Sequence, residues 1–270
     1  MKKLIAVDLD GTLLDSKSQI PPANKLSLQR ARENGHEVVI ITGREYFSSV
    51  HVAKELDFEK YGGILSSSNG ANVYDFKKKK SIINHFLDRS IVKDMIESGL
   101  SFGFDYIVYH QGEILVENPR AHALAYMAQK NKLPVKVIEN LKDKIDFDLN
   151  KLLFTGEAEI ISEHFKEFTN KFSSFANPVN SMPESIDVMP RGIHKGRSLI
   201  EIAEHLGISK ENTIAFGDEI NDETMIEMAG VGVAMGNANE KIKEIADYIS
   251  LTNDQAGVAY YLENVLGVDK

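Results

Sequence analysis

The segment Leu4-Ile5-Ala6-Val7-Asp8-Leu9-Asp10-Gly11-Thr12 runs an unbroken apolar stretch straight into two carboxylates. Such a stretch reads as a short strand buried on both faces of a sheet. Side chains alternate along an extended chain, so Asp8 and Asp10 can face one site while Leu9 points elsewhere. In an open parallel sheet, ligands bind beyond the carboxyl ends of the strands. Placing two carboxylates there is costly: at ~4 Å and an effective dielectric near 20, two unit charges repel by about 4 kcal/mol. A divalent cation offsets that repulsion, and hard oxygen donors suit Mg²⁺. The structural alternative is a pair of Asx-turn residues closing a strand.

Outward from this segment, Val38-Val39-Ile40-Ile41 and Ile64-Leu65 repeat the apolar pattern. A helical pattern over Ala23 to Asn34 lies between the first two runs and stops at Gly35, where a helix-ending glycine belongs. Strand, helix, strand at this spacing is the βαβ unit of a parallel sheet. Asn72-Val73-Tyr74 and Ile82-Ile83 flank the Lys77–Lys80 run, which reads as a hairpin with a solvated turn.

From Asn84 to Pro190 the pattern changes. A helix near Ser90–Ser98, a strand pair around Gln111-Gly112, helices at Ala121–Asn131 and Glu159–Phe172, and strands at Lys151–Thr155 and before Pro190 predict an antiparallel sheet with helices on one face. The βα rhythm then returns: helix Gly196–Leu206, strand Thr213–Phe216, helix Glu223–Met228, strand Val231–Ala234 and helix Glu240–Ala246. The expectation is an α/β protein whose core, residues 1–83 and 191–270, is interrupted by an inserted α+β domain at 84–190.

Three more segments carry chemistry at the edge that Asp8 marks. Thr42-Gly43-Arg44 follows the second strand, where a hydroxyl and a glycine amide suit phosphoryl oxygens; a plain strand-to-helix turn is the alternative. In Gly192-Ile193-His194-Lys195-Gly196, Lys195 precedes a helix and can aim its ammonium at a phosphate, whereas His194 has no sequence partner and is read as structural. Gly217-Asp218-Glu219-Ile220-Asn221-Asp222 supplies further oxygen donors after the strand Thr213–Phe216. It is no EF-hand, because Ile220 sits at a required ligand position. Gly230–Gly236 has the wrong spacing for a dinucleotide loop, and no Walker-type phosphate loop is present.

Composition narrows the classes. The 270 residues are 43% hydrophobic and 26% charged, ordinary for a globular protein. Lys and Arg total 31 against 40 Asp and Glu, and the net charge of −9 disfavours nucleic acid or an anionic membrane as the main partner. A phosphate substrate would therefore need local positive charge. No apolar run approaches the ~20 residues of a membrane span. The basic start Met1-Lys2-Lys3 is followed by an apolar stretch that Asp8 and Asp10 break at once, unlike a signal peptide. With no cysteine there is neither a disulfide framework nor a thiolate nucleophile, and the cytosol is the expected compartment.

Asp-Leu-Asp-Gly-Thr, Thr-Gly-Arg, Lys195 and Gly-Asp-(two residues)-Asn-Asp, in that order, resemble the haloacid dehalogenase superfamily. Ser68-Asn69-Gly70-Ala71, Gly232–Ala238 and Thr252-Asn253-Asp254 look like its Cof-type branch, which carries a large α+β (type IIB) cap where this chain has its insertion. Gln255-Ala256-Gly257 departs from the more acidic turn common there, without touching a catalytic position. The resemblance implies a Rossmann-like parallel-sheet core and an Mg²⁺-dependent phosphatase. Its nucleophile would be Asp8, its general acid and base Asp10. Mg²⁺ would lie between Asp8, the backbone carbonyl of Asp10, and Asp218. Thr42, the amides of Leu9 and Gly43, Lys195 and Asn221 would hold the phosphoryl oxygens, with Asp222 orienting Lys195 from behind the ligand set. The substrate implied is a small phosphorylated metabolite such as a sugar phosphate, with Arg120, His122, Tyr126 and Asn177 as cap residues able to reach it. A phosphomutase sharing the aspartyl-phosphate step and a non-catalytic sensor are the competing classes. The α+β cap argues against the first, and the presence of both Asp8 and Asp10 against the second.

Overall fold

The computed structural model describes residues 1–268. They divide into two compact units: Met1–Gly43, Val50–Ile82 and His194–Lys270 as far as described, and Arg44–Ser49 with Ile83–Ile193.

The first unit is built on an eight-stranded sheet. Its strands are β1 (Leu4–Val7), β2 (Glu37–Ile41), β3 (Ile64–Ser67), β4 (Asn72–Asp75) and β5 (Lys80–Asn84), with the later strands β12 (Thr213–Gly217), β13 (Val231–Ala234) and β14 (Tyr248–Ile249). Their order is β14-β13-β12-β1-β2-β3-β4-β5. From β14 to β3 the pairing is parallel, and β4 runs antiparallel to β3. The central strands β1 and β12 are buried at every residue, as a sheet covered on both faces requires. Each fully buried Leu, Ile or Val contributes about 1.5–3 kcal/mol.

Helix α1 (Pro22–Glu33) starts with proline at its first position, where no intrahelical N–H is needed, and ends before Gly35 at φ +84°. Helices α2 (Tyr46–Glu55) and α3 (Phe58–Tyr61) follow β2; α2 begins in the segment Arg44–Ser49 and so crosses from one unit to the other.

The second unit carries a six-stranded sheet ordered β10-β11-β9-β6-β7-β8. Its strands are β6 (Asp105–His110), β7 (Glu113–Val116), β8 (Val135–Val137), β9 (Leu152–Thr155), β10 (Ala176–Met182) and β11 (Ser185–Pro190). Helices α4 (Arg89–Ser101), α5 (Leu124–Asn131) and α6 (Ala158–Phe172) pack on it. Gln111 and Gly112, both at positive φ, turn β6 into β7 as the sequence predicts.

Two expectations for this region need correction. The sheet is mixed, because β7 and β8 pair in parallel. It is also apolar on both faces. Tyr106, Val108, Leu152 and Phe154 face α4 and α6, whereas Ile107, Ile114 and Leu153 pack with Leu124 and Met127 of α5. Alternate residues of single strands thus serve two separate cores.

The first unit closes with α7 (Lys195–Leu206), α8 (Glu223–Met228), α9 (Glu240–Ile245) and α10 (Gly257–Tyr261). Among the described residues, no helix is long and apolar enough to cross a membrane.

Candidate active site

The motif residues of the first unit gather at the carboxyl ends of its parallel strands. Asp8 N donates to Phe216 O at 3.1 Å, extending the β1–β12 ladder by one residue and fixing where the Asp8 carboxylate begins. Thr42 N donates to Ser66 O at 2.9 Å, and Thr42 O accepts from Asn69 N at 2.9 Å. Asp218 follows β12 directly.

Lys195 is the first residue of α7, an unfavourable place for a cation beside the positive end of a helix dipole. Two carboxylates compensate. Its fully buried Nζ lies 2.7 Å from Asp8 Oδ1 and 2.5 Å from Asp222 Oδ1. Close packing of α7 on α8 sets this position: a Cβ on Gly196 would come within 2.3 Å of Thr224 O. His194 caps the same helix, its Nδ1 accepting from Arg197 N at 3.2 Å, which accounts for it as structural.

Asp222 spends both carboxylate oxygens on the protein. Oδ1 meets Lys195, while Oδ2 accepts from Asp218 N at 2.9 Å and from Glu219 N at 3.1 Å. Asp218 in turn accepts Thr12 Oγ1 at 2.7 Å. Asp8, Asp218 and Asp222 are all buried, and each offers a carboxylate oxygen within 4.8 Å of the others; Asp10, partly buried, is not a member of this group.

The electrostatics follow from that crowding. Burial disfavours the Lys195 ammonium, but Asp222 and Asp8 outweigh it and raise its pKa, so it stays charged. Burial pushes the Asp8 carboxyl well up, against the pull of Lys195 and with help from Asp222 and Asp218. Burial and then Asp222 push Asp218 up to about 7. One ammonium is thus set against three buried carboxylates. An all-oxygen group short of positive charge fits a hard divalent cation such as Mg²⁺. Asp8 and Asp218 are the members of the group that could turn a carboxylate oxygen to such an ion, since Asp222 has both oxygens engaged.

The remaining site residues fall as follows. The Leu9 side chain is fully buried, so only its backbone can meet a ligand. Asn221 Nδ2 donates to Asn69 Oδ1 at 3.4 Å, and a Cβ on Gly43 would approach the same Asn69 oxygen to 3.1 Å. Gly43, Asn221 and Asn69 therefore stand together. Asn69, buried at φ +54°, and Thr12 were quoted in the sequence without roles; their roles come from partners distant in the chain. In the second unit, Asn177 Nδ2 donates to Ile193 O at 2.8 Å, and the His122 ring lies 3.5 Å from both Glu157 and Glu184. Arg120 and Tyr126 are exposed.

Comparison with known proteins bears directly on this geometry. The family of haloacid dehalogenase-like hydrolases matches residues 5–262. The phosphatase YwpJ of Bacillus subtilis (strain 168) is 32% identical, over 98% of this chain and 100% of its own. The 5-amino-6-(5-phospho-D-ribitylamino)uracil phosphatase YcsE of the same strain is 31% identical, over 95% of this chain and 93% of its own. The crystal structure of a haloacid dehalogenase-like hydrolase from Bacteroides thetaiotaomicron superposes with a TM-score of 0.90 at 34% identity, covering 98% of this chain and 100% of that one. The chain belongs to the haloacid dehalogenase-like hydrolase family and is an enzyme of its phosphatase type.

Proposed function

We propose that this enzyme hydrolyses small phosphate monoesters, sugar or sugar-alcohol phosphates among them, through an aspartyl-phosphate on Asp8. One observation carries the reading: a buried Asp8 carboxylate at a strand end, with a buried ammonium 2.7 Å from it. Asp8 attacks phosphorus, forming an oxygen–phosphorus bond as the bond to the leaving oxygen breaks. Asp10 gives its proton to that oxygen, then takes one from the water that cleaves the aspartyl-phosphate. Lys195, Thr42, Asn221 and the amides of Leu9 and Gly43 hold the phosphoryl oxygens, where charge spreads in the transition state. Asp222 keeps Lys195 in place. Mg²⁺, held by Asp8, Asp218 and the Asp10 carbonyl, would neutralise charge shared between carboxylates and phosphate.

The unit containing residues 83–193 serves in this reading as a cap that selects the leaving group. The substrate for which the relative YcsE is named, a phosphorylated ribitylamino compound, supports a polyol phosphate ester over an aromatic or nucleic-acid one. An acidic chain without a membrane-crossing helix among its described residues is in keeping with a small diffusible substrate.

The test is phosphate release from a panel of sugar, sugar-alcohol and aryl phosphates, with Mg²⁺ and with EDTA, for wild type and Asp8→Asn. Release that needs Mg²⁺ and vanishes in Asp8→Asn is expected. Absence of turnover on every ester, with Mg²⁺ bound, would overturn the hydrolase mechanism and favour a mutase or a sensor.

A further inference from the structure

Two segments singled out in the sequence, Gly232–Ala238 and Thr252-Asn253-Asp254, take no part in the chemistry above, yet both converge on the loop that follows β1. Asn237 Nδ2 donates to the carbonyl oxygen of Gly11 at 2.8 Å, and Asn237 Oδ1 accepts from Asn253 N at 2.9 Å. With a donor at one end and an acceptor at the other, the amide has one orientation, and its NH₂ faces Gly11. Asn253 is largely buried and donates from Nδ2 to Leu14 O at 2.9 Å, while Asp254 Oδ1 accepts from Ser16 N at 2.8 Å. Residues 11 to 16 are thus held at three points from one side of the first unit.

The same stretch reaches the other acidic loop. Asn239 N, two residues beyond Asn237, donates to Asp218 O at 2.8 Å. One short piece of chain therefore grips the loop bearing Asp10 and the loop bearing Asp218. Such a grip matters most at Gly11, the next residue after Asp10. Glycine at positive φ is the least self-determined residue in a loop. Within the loop its peptide to Thr12 is held by the long 3.4 Å bond from Thr12 N to Leu9 O, so the 2.8 Å bond from Asn237 is the firmer hold on its direction.

We infer that Asn237, oriented by Asn253, is a positioning residue for Asp10. By pinning the Gly11 carbonyl it fixes the backbone from which the Asp10 side chain departs. The inference rests on the phosphatase reading, in which Asp10 protonates the leaving oxygen. Asn237 is solvent-exposed, so little of the global fold hangs on it and its effect is confined to the loop.

A general acid matters when the leaving oxygen is strongly basic and hardly at all when it is a stable phenolate. The experiment compares kcat/KM for an alkyl phosphate such as a sugar phosphate with that for 4-nitrophenyl phosphate, in wild type, Asn237→Ala, Asn237→Asp and Asp10→Asn. This parameter covers the steps through leaving-group departure. Expected is a loss of about tenfold or more on the alkyl ester for both Asn237 variants, a part of the ~10²–10⁴-fold a general acid supplies. On the aryl ester the loss should stay within about threefold, with unchanged thermal unfolding. Asp10→Asn should show the same bias, larger. Equal losses on the two esters in the Asn237 variants, or none, while Asp10→Asn keeps its bias, would overturn the role of Asn237 alone. No wild-type turnover, or no bias in Asp10→Asn, would overturn the underlying reading and this inference with it.

Discussion

The carboxylate of Asp218 occupies the space a side chain on Gly11 would need: a Cβ there would stand 2.1 Å from Asp218 Oδ2. The loop after β1 and the loop after β12 thus approach each other as closely as a bare backbone and a carboxylate allow. Gly11 also has φ +76°, a conformation that costs an L side chain about 1–2 kcal/mol.

Gly11→Ala should therefore fold yet lose activity. The added methyl displaces Asp218 and, with it, the Thr12 hydroxyl bonded to it. A displacement near 1 Å at reacting groups costs about 10²-fold in rate. Steady-state kinetics alongside circular dichroism checks this, and an active Gly11→Ala enzyme would contradict the geometry.

Lys195→Met should be unstable as well as inactive. Removing the ammonium leaves Asp8 and Asp222 buried beside each other without their shared partner. Breaking a buried ion pair from one side costs about 3–5 kcal/mol. Urea denaturation at pH 7 should show that loss, and acidification should recover part of it as Asp8, whose carboxyl pKa burial already shifts upward, takes up a proton.

Mg²⁺ should change how stability depends on pH. Asp218, raised to about 7 by burial and by Asp222, binds its proton more tightly folded than unfolded, where its value is about 3.9. Asp8 is shifted the same way, with burial the main cause. The folded state then holds more protons, so stability of the metal-free protein falls as pH rises from about 4 to about 7. A cation bound by these carboxylates removes the penalty. Melting temperatures at pH 5 and pH 7.5, in EDTA and in Mg²⁺, should show the larger Mg²⁺-induced rise at pH 7.5. An equal rise at both would count against Asp8 and Asp218 as ligands.

Phe168→Ala should destabilise the second unit by about 3–5 kcal/mol, the usual cost of emptying a large core position. Phe168 is fully buried, with ring centroids of Phe172 at 4.9 Å and Phe154 at 5.0 Å, so a neighbour on its own helix and one on β9 lose contact. Thermal unfolding reads the effect. A change below about 1 kcal/mol would mean that this aromatic cluster does not hold α6 to the sheet.

Much of this was legible because both the sheet and its chemistry are written locally. Val38–Ile41 and Thr213–Phe216 are strands by apolar content alone, and the carboxylates that follow strand ends sit at the crevice by topology. The strand Val135–Val137 was not legible, since all three residues are exposed and only pairing with β7 makes them a strand. The two-faced second sheet was misread from a signal already present, the unbroken run Leu152-Leu153-Phe154, which a one-faced sheet would have alternated. Thr12, Asn69 and Asn237 were beyond reach, because an amide or hydroxyl acquires its role from whatever the fold brings opposite it.

Residues 44–49 group with residues 83–193, not with the strands that flank them in the chain, so the polypeptide passes between the two units four times: at 43/44, 49/50, 82/83 and 193/194. The second unit is therefore no simple insertion that could be lifted out at one pair of cut sites. A recombination event swapping only 83–193 with a relative would leave six residues of the old lineage stranded in the new unit, immediately after the Thr42-Gly43 pair. If the second unit selects the leaving group, as proposed, changes of specificity by shuffling would have to carry both pieces together, which favours gradual substitution over exchange as the route to a new substrate.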